Sequence, residues 1–153
     1  MISYRVVRRK YNDLSGRGAG IFGGRFNPPG IPAVYSSQSI ALALLEVLVH
    51  LDKSEVPQDY IVMAIHFPGG SVSRPRNELS HAGEITPEHF RATFYDRPVL
   101  RVASVIIPRE YNYVLFPEAE GYGASVEWTE PLNFDARLVA TTGEPEVTTH
   151  RIV

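Results

Sequence analysis

Cysteine is absent from this chain of 153 residues, and its absence excludes several classes of site. Without thiols there is no disulfide scaffold, no cysteine nucleophile and no cysteine-ligated zinc or iron–sulfur centre. Long apolar runs are also missing: the longest, Ile40 to Leu51, is interrupted by Glu46 and His50 and is too short to span a bilayer. Because no basic and apolar leader opens the chain, the sequence predicts a cytoplasmic protein without a membrane segment.

A large net charge is missing as well, since the formal charge is only -2, but the charges are unevenly distributed. Residues 1–30 hold six basic side chains against one acid, Asp13, which makes this segment +5 and leaves −7 on the remainder. A cationic start on an acidic body suits a small anionic ligand better than a nucleic acid. A solvated basic strand edge explains it equally well. The basic residues are Arg5, Arg8, Arg9, Lys10, Arg17 and Arg25.

Motifs for metal binding and serine nucleophiles are not found. The five histidines show no H-E-x-x-H or comparable ligand spacing, so no metal site is predicted. The serines lie in no G-x-S-x-G turn, which leaves a serine hydrolase without local support. The chemistry therefore has to come from other side chains.

The segment from Gly18 to Gly23 satisfies the dinucleotide pattern G-x-G-x-x-G. That pattern binds a pyrophosphate when a strand precedes it and a helix follows it. Here polar residues precede it, and the glycines and prolines of residues 24–30 prevent a helix from following. A Rossmann fold is therefore not predicted. We interpret Asn12 to Pro32 instead as a long ordered ligand loop, anchored on the core by its apolar side chains.

The pattern of apolar residues predicts one α+β domain over residues 1–138, with mainly antiparallel sheet and a C-terminal tail over residues 139–153. A helix from roughly Gln38 to Lys53, capped by Ser36 or Ser37, is apolar on nearly every side and is predicted to be buried. A few short helices are expected, one of them from Thr86 to about Tyr95. The predicted strands are Ile2–Arg8, Ala33–Ser36, Asp59–Phe67, Arg101–Ile107, Tyr111–Phe116, short ones near residues 127–128 and 132–134, and residues 137–139; residues 69–85 are predicted as loop.

Glu46 is unusual because it lies in the middle of the predicted apolar helix. An ionised carboxylate in apolar packing costs several kcal/mol unless it has a partner. One hypothesis is a buried structural ion pair with Arg5 or Arg25. The other is that Glu46 lines a cleft and meets positive charge only during a reaction. The spacing alone does not decide between them.

Two further side chains are candidates for ligand binding. Arg25 follows a glycine pair that allows close approach of a ligand, and its guanidinium suits phosphate oxygens. The alternative for Arg25 is an ion pair that anchors the loop. Tyr35 ends a strand and could stack on a flat heteroaromatic ring, or it could be part of the core.

Several segments together closely resemble the RES domain, the toxin half of bacterial RES–Xre toxin–antitoxin pairs. The resemblance covers roughly residues 4–138, and its most specific part is the block from Gly23 to His50. The segments that carry it are Gly23–Gly30, Val34–Ser36, Ala41–His50, Ala103–Pro108, Asn112-Tyr113 and Phe134–Leu138.

The resemblance implies a fold related to ADP-ribosyltransferases and a toxin that degrades NAD. The nicotinamide–ribose bond is cleaved and the ADP-ribosyl group passes to water or phosphate. NAD is then the substrate, inorganic phosphate is a possible co-substrate, and no cofactor is expected. The implied partner is an Xre-type helix-turn-helix antitoxin in an oligomer or hetero-oligomer. A protein ADP-ribosyltransferase is one alternative, and a catalytically weak module that binds a nucleotide or a partner is another.

Family roles carry over to matching positions only by this resemblance. Arg5 and Arg25 are expected to hold the diphosphate or ribose, with Asn27 also in the binding site. Glu46 faces the reacting ribose. Together with Glu46, the catalytic residues are expected to include Tyr35, near nicotinamide, and Arg25; Ser104 completes the pocket. Asn112 matches a family position to which we assign no role.

The sequence departs from the family pattern at two places. Phe26 stands where the family usually has tryptophan. The block after Asn112 lacks the usual Asn-Pro and nearby histidine and has residues 116–120, FPEAE, instead. The second difference puts the roles of those later positions in doubt and predicts altered acceptor choice or reduced activity.

Overall fold

The computed structural model describes residues 1–51, 58–73, 85–94 and 96–138. Seven strands of these residues form one sheet with the order β4-β5-β6-β2-β1-β3-β7. All neighbouring pairs are antiparallel except β4 and β5. The predicted class, α+β with mainly antiparallel sheet, is therefore confirmed. The strands are β1 Ile2–Arg8, β2 Val34–Ser37, β3 Tyr60–His66, β4 Val72–Ser73, β5 Val99–Ala103, β6 Tyr111–Leu115 and β7 Ser125–Leu132.

In the described part of the chain, three α-helices accompany the sheet: α1 Arg17–Phe22, α2 Ile40–Leu48 and α3 Pro87–Phe94. Short 3-10 turns cover Arg9–Tyr11, Gly69–Ser71 and Ala136–Leu138. The predicted N-cap of α3 is confirmed, because the Thr86 hydroxyl accepts a hydrogen bond from the His89 amide at 3.3 Å. No helix within the described ranges is long and apolar enough to cross a membrane.

The sheet buries apolar side chains on both faces, as alternation along β6 shows. Tyr113 and Leu115 belong to one core cluster, whereas Val114 and the following Phe116 belong to another. Successive side chains of a strand point to opposite faces, so β6 is covered on both sides. This layered core fixes the positions of β1 and β2, which carry residues of the candidate site.

The prediction of a long, buried central helix is wrong in two respects. Helix α2 begins at Ile40, and its N-cap is Ser39, whose hydroxyl accepts a hydrogen bond from the Leu42 amide, rather than Ser36 or Ser37. Only Leu42 and Ala43 are buried in it. The helix packs on β1 and β2 with one side, so its apolar outer side is partly exposed. The apolar residues on every side of this helix therefore did not mean that every side of it is buried.

Other boundaries also differ from the prediction. The loop over residues 12–32 contains α1, and the two short strands expected after residue 125 are one edge strand, β7. Pro131 is tolerated there because an edge strand leaves one row of amides unpaired. Strand β5 ends at Ala103, and the expected last strand is a 3-10 turn. The end of the predicted helix at residues 52–53, most of the loop over 69–85, Tyr95, Val139 and the tail over 139–153 lie outside the described residues.

Candidate functional site

A cavity of about 340 Å³ opens where β1, β2 and α2 meet. We call it the Glu46 cavity, because Glu46 from α2 lines it together with residues of both strands. Its lining combines apolar residues with a few polar groups, which is typical of small-molecule sites. The lining residues are Tyr4, Arg5, Val6, Val7, Tyr35, Ser36, Ser37, Ala43, Glu46, Val47, His50 and Asn112.

Glu46 is held by neutral donors rather than by a cation. Its Oε1 atom accepts hydrogen bonds from Asn112 Nδ2 at 2.5 Å and from Ser104 Oγ at 3.1 Å. Within the described ranges, no ion pair involves Glu46. Arg5 instead donates to the Asp13 carbonyl. The hypothesis of a structural ion pair with Arg5 or Arg25 is therefore wrong, and the carboxylate presents its charge to the cavity.

Ser104 is buried beneath Glu46 and is not among the residues that line the cavity. It directly follows β5, in a turn where its hydroxyl oxygen accepts hydrogen bonds from the Ile106 and Ile107 amides, each at 3.1 Å. The chain turns there instead of continuing the predicted strand. Ser104 therefore completes the site through Glu46 and does not contribute to the cavity wall.

A second cavity of about 480 Å³ adjoins the first, and both include Arg5 and Tyr35 in their linings. Arg5 reaches it from β1 and donates from Nη1 to the Asp13 carbonyl at 2.9 Å. Burial lowers the pKa of Arg5, while the Asp13 carboxylate acts in the opposite direction. The other residues that line the second cavity are Tyr11, Asp13, Ser15, Gly16, Arg17, Gly18, Ala19, Ile21, Phe22 and Ala33.

Tyr35 presents its ring to both cavities. Its hydroxyl instead holds the glycine-rich loop, which covers residues 23–30. The hydroxyl donates to Asn27 Oδ1 at 2.6 Å and accepts from the Phe26 amide at 3.1 Å. Burial raises the pKa of Tyr35 to about 12, so the phenol is neutral at physiological pH. A Cβ on Gly24 would lie 2.5 Å from this hydroxyl, so the glycine makes room for Tyr35.

Asn27 holds the loop rather than lining the cavity. It is fully buried, and its Nδ2 atom donates to the carbonyls of Ala19 at 2.9 Å and Ile31 at 2.8 Å. With Oδ1 bonded to Tyr35, its hydrogen-bonding groups are occupied within the protein. The geometry therefore corrects the expected substrate contact of Asn27 to a structural role.

Arg25 is exposed within the same loop. Its guanidinium carbon lies 5.4 Å from the centre of the Phe26 ring, and Arg25 lines neither of the two cavities. The anchoring ion pair considered for it is not formed in the described structure. The structure thus brings Arg5, Tyr35 and Glu46 together but leaves Arg25 outside the group.

The sequence analysis missed Ser37 and gave Asn112 no role, although both line the Glu46 cavity. Ser37 was interpreted only as a helix cap. His50 also lines the cavity, one helical turn after Glu46. The divergent block that begins with Phe116 is structural in part, because Phe116 and Ala119 are buried in a core cluster. No cluster of three or more possible metal ligands occurs among the residues that the structure describes.

Comparison with known proteins finds one family model and several relatives that are named as toxins. The family model of the RES domain matches residues 2–136. A Photorhabdus laumondii protein named "Toxin Res" is 34% identical, with 91% of this chain and 97% of that protein covered. A Sphingobium protein named "Prs ADP-ribosylating toxin" is 34% identical, covering 74% of this chain and 80% of that protein.

A solved structure gives the same picture for the fold. The crystal structure of the M. tuberculosis MbcT–MbcA toxin–antitoxin complex contains a chain with a TM-score of 0.58 and 16% identity. The match covers 90% of this chain and 86% of the other. At this identity the likeness concerns the fold alone.

Proposed function

The chain belongs to the RES domain family, and we propose that it is the toxin of a toxin–antitoxin pair that cleaves the nicotinamide–ribose bond of NAD. Relatives named as toxins cover nearly the whole chain, which supports the first part of this proposal. The second part rests on the chemistry of the Glu46 cavity.

The observation that carries the proposal is the uncompensated carboxylate of Glu46, bonded at Oε1 to two neutral donors. Breaking the bond to nicotinamide develops positive charge on the ribose carbon and ring oxygen. A fixed anion beside the sugar stabilises this charge, and a hydrogen bond accepted from the 2′-hydroxyl strengthens as the charge grows. Nicotinamide leaves as a neutral pyridine, so a single carboxylate suffices and no acid is required.

The arrangement of the two cavities suits a dinucleotide. NAD consists of two nucleoside halves joined by a diphosphate. The cavities adjoin each other, and the Arg5 guanidinium lines both. With the nicotinamide half in the Glu46 cavity and the adenosine half in the second cavity, the diphosphate lies at Arg5. A guanidinium matches phosphate oxygens well, and its binding energy orients the distant sugar.

Tyr35 fits the same arrangement as a wall for the nicotinamide end. Its ring lines the Glu46 cavity, while its hydroxyl is bonded to the loop. Because its pKa of about 12 keeps the phenol neutral, Tyr35 adds no negative charge that would bind the cationic pyridinium. We assign it a stacking role and no proton transfer.

Substitution of Glu46 by glutamine tests the proposal. The amide keeps the size of the side chain but removes the anion, so nicotinamide release should be slowed roughly 10²- to 10³-fold, with NAD binding retained. Release is measured by chromatography of NAD incubated with the purified protein. Glu130→Gln, on the exposed edge strand β7, is the matched control and should change nothing. Full activity of Glu46→Gln would contradict the assignment.

Transfer of ADP-ribose to a protein is the second candidate. The relative from Sphingobium that is 34% identical carries the name "Prs ADP-ribosylating toxin". NAD labelled in its adenosine half distinguishes the outcomes: the label appears on a macromolecule in one case and in a small product in the other. Running the incubation with and without phosphate separates transfer to water from transfer to phosphate. NAD binding without nicotinamide release would indicate a binding module.

The partner that we propose is an Xre-type antitoxin that covers the cavities. The solved chain with a similar fold comes from a toxin–antitoxin complex. Nicotinamide release measured with a co-purified antitoxin should fall to background. Assembly into an oligomer or hetero-oligomer and a cytoplasmic location stay predictions.

A further inference from the structure

Two hydroxyl groups and one amide fix the Glu46 carboxylate through a short relay of hydrogen bonds. We propose that Asn112 is a positioning residue for Glu46 and that Ser37 fixes the orientation of Asn112. The inference rests on the proposed function, since it concerns how the carboxylate meets the sugar. It assigns a role in the site to Asn112, which had none from the sequence, and to Ser37, which was interpreted only as a helix cap.

The relay begins between two neighbouring strands. Ser37 on β2 lies directly opposite Asn112 on β6, and the Ser37 hydroxyl donates to Asn112 Oδ1 at 2.7 Å. The other end of the same amide, Nδ2, donates to Glu46 Oε1 at 2.5 Å. A flipped amide would place its oxygen against the carboxylate oxygen, with no hydrogen between them. The carboxylate, which only accepts, thus determines which end of the Asn112 amide faces Glu46, and the Ser37 hydroxyl holds the other end in place.

Ser104 supplies a second donor whose direction is fixed in the same way. Its oxygen accepts from the amides of Ile106 and Ile107, so its single hydrogen is directed to Glu46 Oε1. A hydroxyl has two acceptor sites and one donor, and here all three are used. The two directed donors converge on one oxygen of the carboxylate.

This convergence leaves the two carboxylate oxygens in different situations. Oε1 is held by Asn112 and Ser104, whereas Oε2 is bonded to no residue that the structure describes. Rotation of the carboxylate breaks two hydrogen bonds, so Oε2 keeps its direction. A preorganised charge stabilises a transition state without reorganising during the reaction. The relay therefore acts on the turnover step rather than on NAD binding.

A double-mutant cycle tests this mechanism on nicotinamide release. Ser37→Ala should lower kcat roughly threefold to tenfold and Asn112→Ala roughly tenfold to a hundredfold, following the strengths of neutral and charged hydrogen bonds. KM should stay within about twofold. Because Ser37 acts through Asn112, Ser37→Ala should have no further effect in the Asn112→Ala background. Asn112→Ser replaces Asn112→Ala in the cycle if the alanine variant does not fold.

The matched controls are Ser125→Ala and Asn133→Asp, both at exposed positions outside the cavity. Neither should change kcat. An additive effect of Ser37→Ala in the Asn112→Ala background would overturn the relay, because Ser37 would then act by another route. A rise in KM with unchanged kcat would overturn it as well.

A spectroscopic experiment tests this inference independently of the proposed function. In labelled protein without NAD, the side-chain amide protons of Asn112 should be shifted by the short hydrogen bond to the carboxylate. Glu46→Gln and Ser37→Ala should each move these signals, and Ser125→Ala should not. If Ser37→Ala leaves them unchanged, the relay is wrong even in an active enzyme. A wild-type protein that releases no nicotinamide contradicts the proposed function alone.

Discussion

Among single residues, Tyr35 couples the glycine-rich loop to the wall of both cavities. Its ring lines the cavities, and its hydroxyl bonds to Asn27 and to the Phe26 amide. Burial shields the hydroxyl from water and disfavours the phenolate, which raises the pKa of Tyr35 to about 12. The two roles are separable, because a phenylalanine keeps the ring and loses the hydroxyl.

The raised pKa of Tyr35 predicts a pH dependence of stability. The folded state keeps the phenolic proton up to about pH 12, whereas the unfolded chain loses it near its ordinary value of 10.0. Between these values the unfolded state binds fewer protons, so the free energy of unfolding falls as pH rises, by up to about 1.4 kcal/mol per pH unit. Denaturant unfolding of wild type and Tyr35→Phe from pH 9 to 12 measures this contribution.

The comparison of wild type with Tyr35→Phe isolates the contribution of Tyr35, because all other tyrosines are the same in both proteins. The stability advantage of the wild type should be constant below pH 10 and shrink above it. Tyr111→Phe, a change at an exposed tyrosine, should leave the difference unaltered. An advantage that stays constant to pH 12 would show that the hydroxyl is not shielded from water.

The sequence could identify Glu46, but it did not show that Ser104 and Asn112 bond to it. A carboxylate in an apolar helix stands out by composition, whereas Ser104 and Asn112 lie 58 and 66 positions further along the chain. The role of Asn27 was misjudged for a related reason. Its amide bonds to the backbone carbonyls of Ala19 and Ile31, and carbonyls carry no signal in a sequence.

Among the elements, α1 shows how a glycine-rich segment forms a helix. Gly16 precedes it in a left-handed conformation with φ 64°, and a Cβ there would lie 2.6 Å from the Ala33 nitrogen. The Gly20 and Gly23 amides bond to the carbonyls of Gly16 and Ala19. Backbone contacts with Ala33 therefore position the helix, although glycine disfavours helices by itself.

Two glycine-to-alanine substitutions should change stability in opposite directions. Gly16→Ala combines a strained φ with a backbone clash and should lower the free energy of unfolding by more than about 1–2 kcal/mol. Gly18→Ala lies within α1, where a Cβ meets no atom within 4 Å, and should raise it by up to about 1 kcal/mol. Urea unfolding of both variants decides this. A loss of stability in Gly18→Ala would mean that α1 is not helical there.

The type of each helix and strand was predicted better than its burial in the fold. The strands β1 and β3 and the helix α3 follow from local patterns, since the strands are rich in apolar residues and the helix has a capping signal. The exposure of α2 does not, because it depends on what covers the outer side of the helix. Ile40 and Val49 are exposed although their sequence context is apolar. Burial is a property of the assembled fold rather than of one segment.

In the molecule as a whole, only one basic residue of the cationic segment, residues 1–30, lines both cavities. Arg5 lies in both linings, whereas Arg9 pairs with Asp59 at 2.9 Å in an exposed position and Arg25 is exposed beside Phe26. The cationic segment thus contains the arginine that lines both cavities, but its charge pattern does not single that arginine out. Charge counting ignores direction, and the strand alternation of β1 decides which arginine faces inward.

The proposed division of NAD between the two cavities predicts a difference between a full and a truncated substrate. Phe22 is 83% exposed on α1 and lines only the second of the two cavities, so its ring offers a stacking surface to adenine. Phe22→Ala should therefore lower kcat/KM for NAD roughly tenfold, the size of one lost stacking contact. Nicotinamide mononucleotide lacks the adenosine half, and its cleavage by this variant should equal that of the wild type. Val126→Ala, an exposed apolar change on β7, serves as the control. Equal losses with both substrates would contradict the division, because they would place the effect of Phe22 at the reacting sugar.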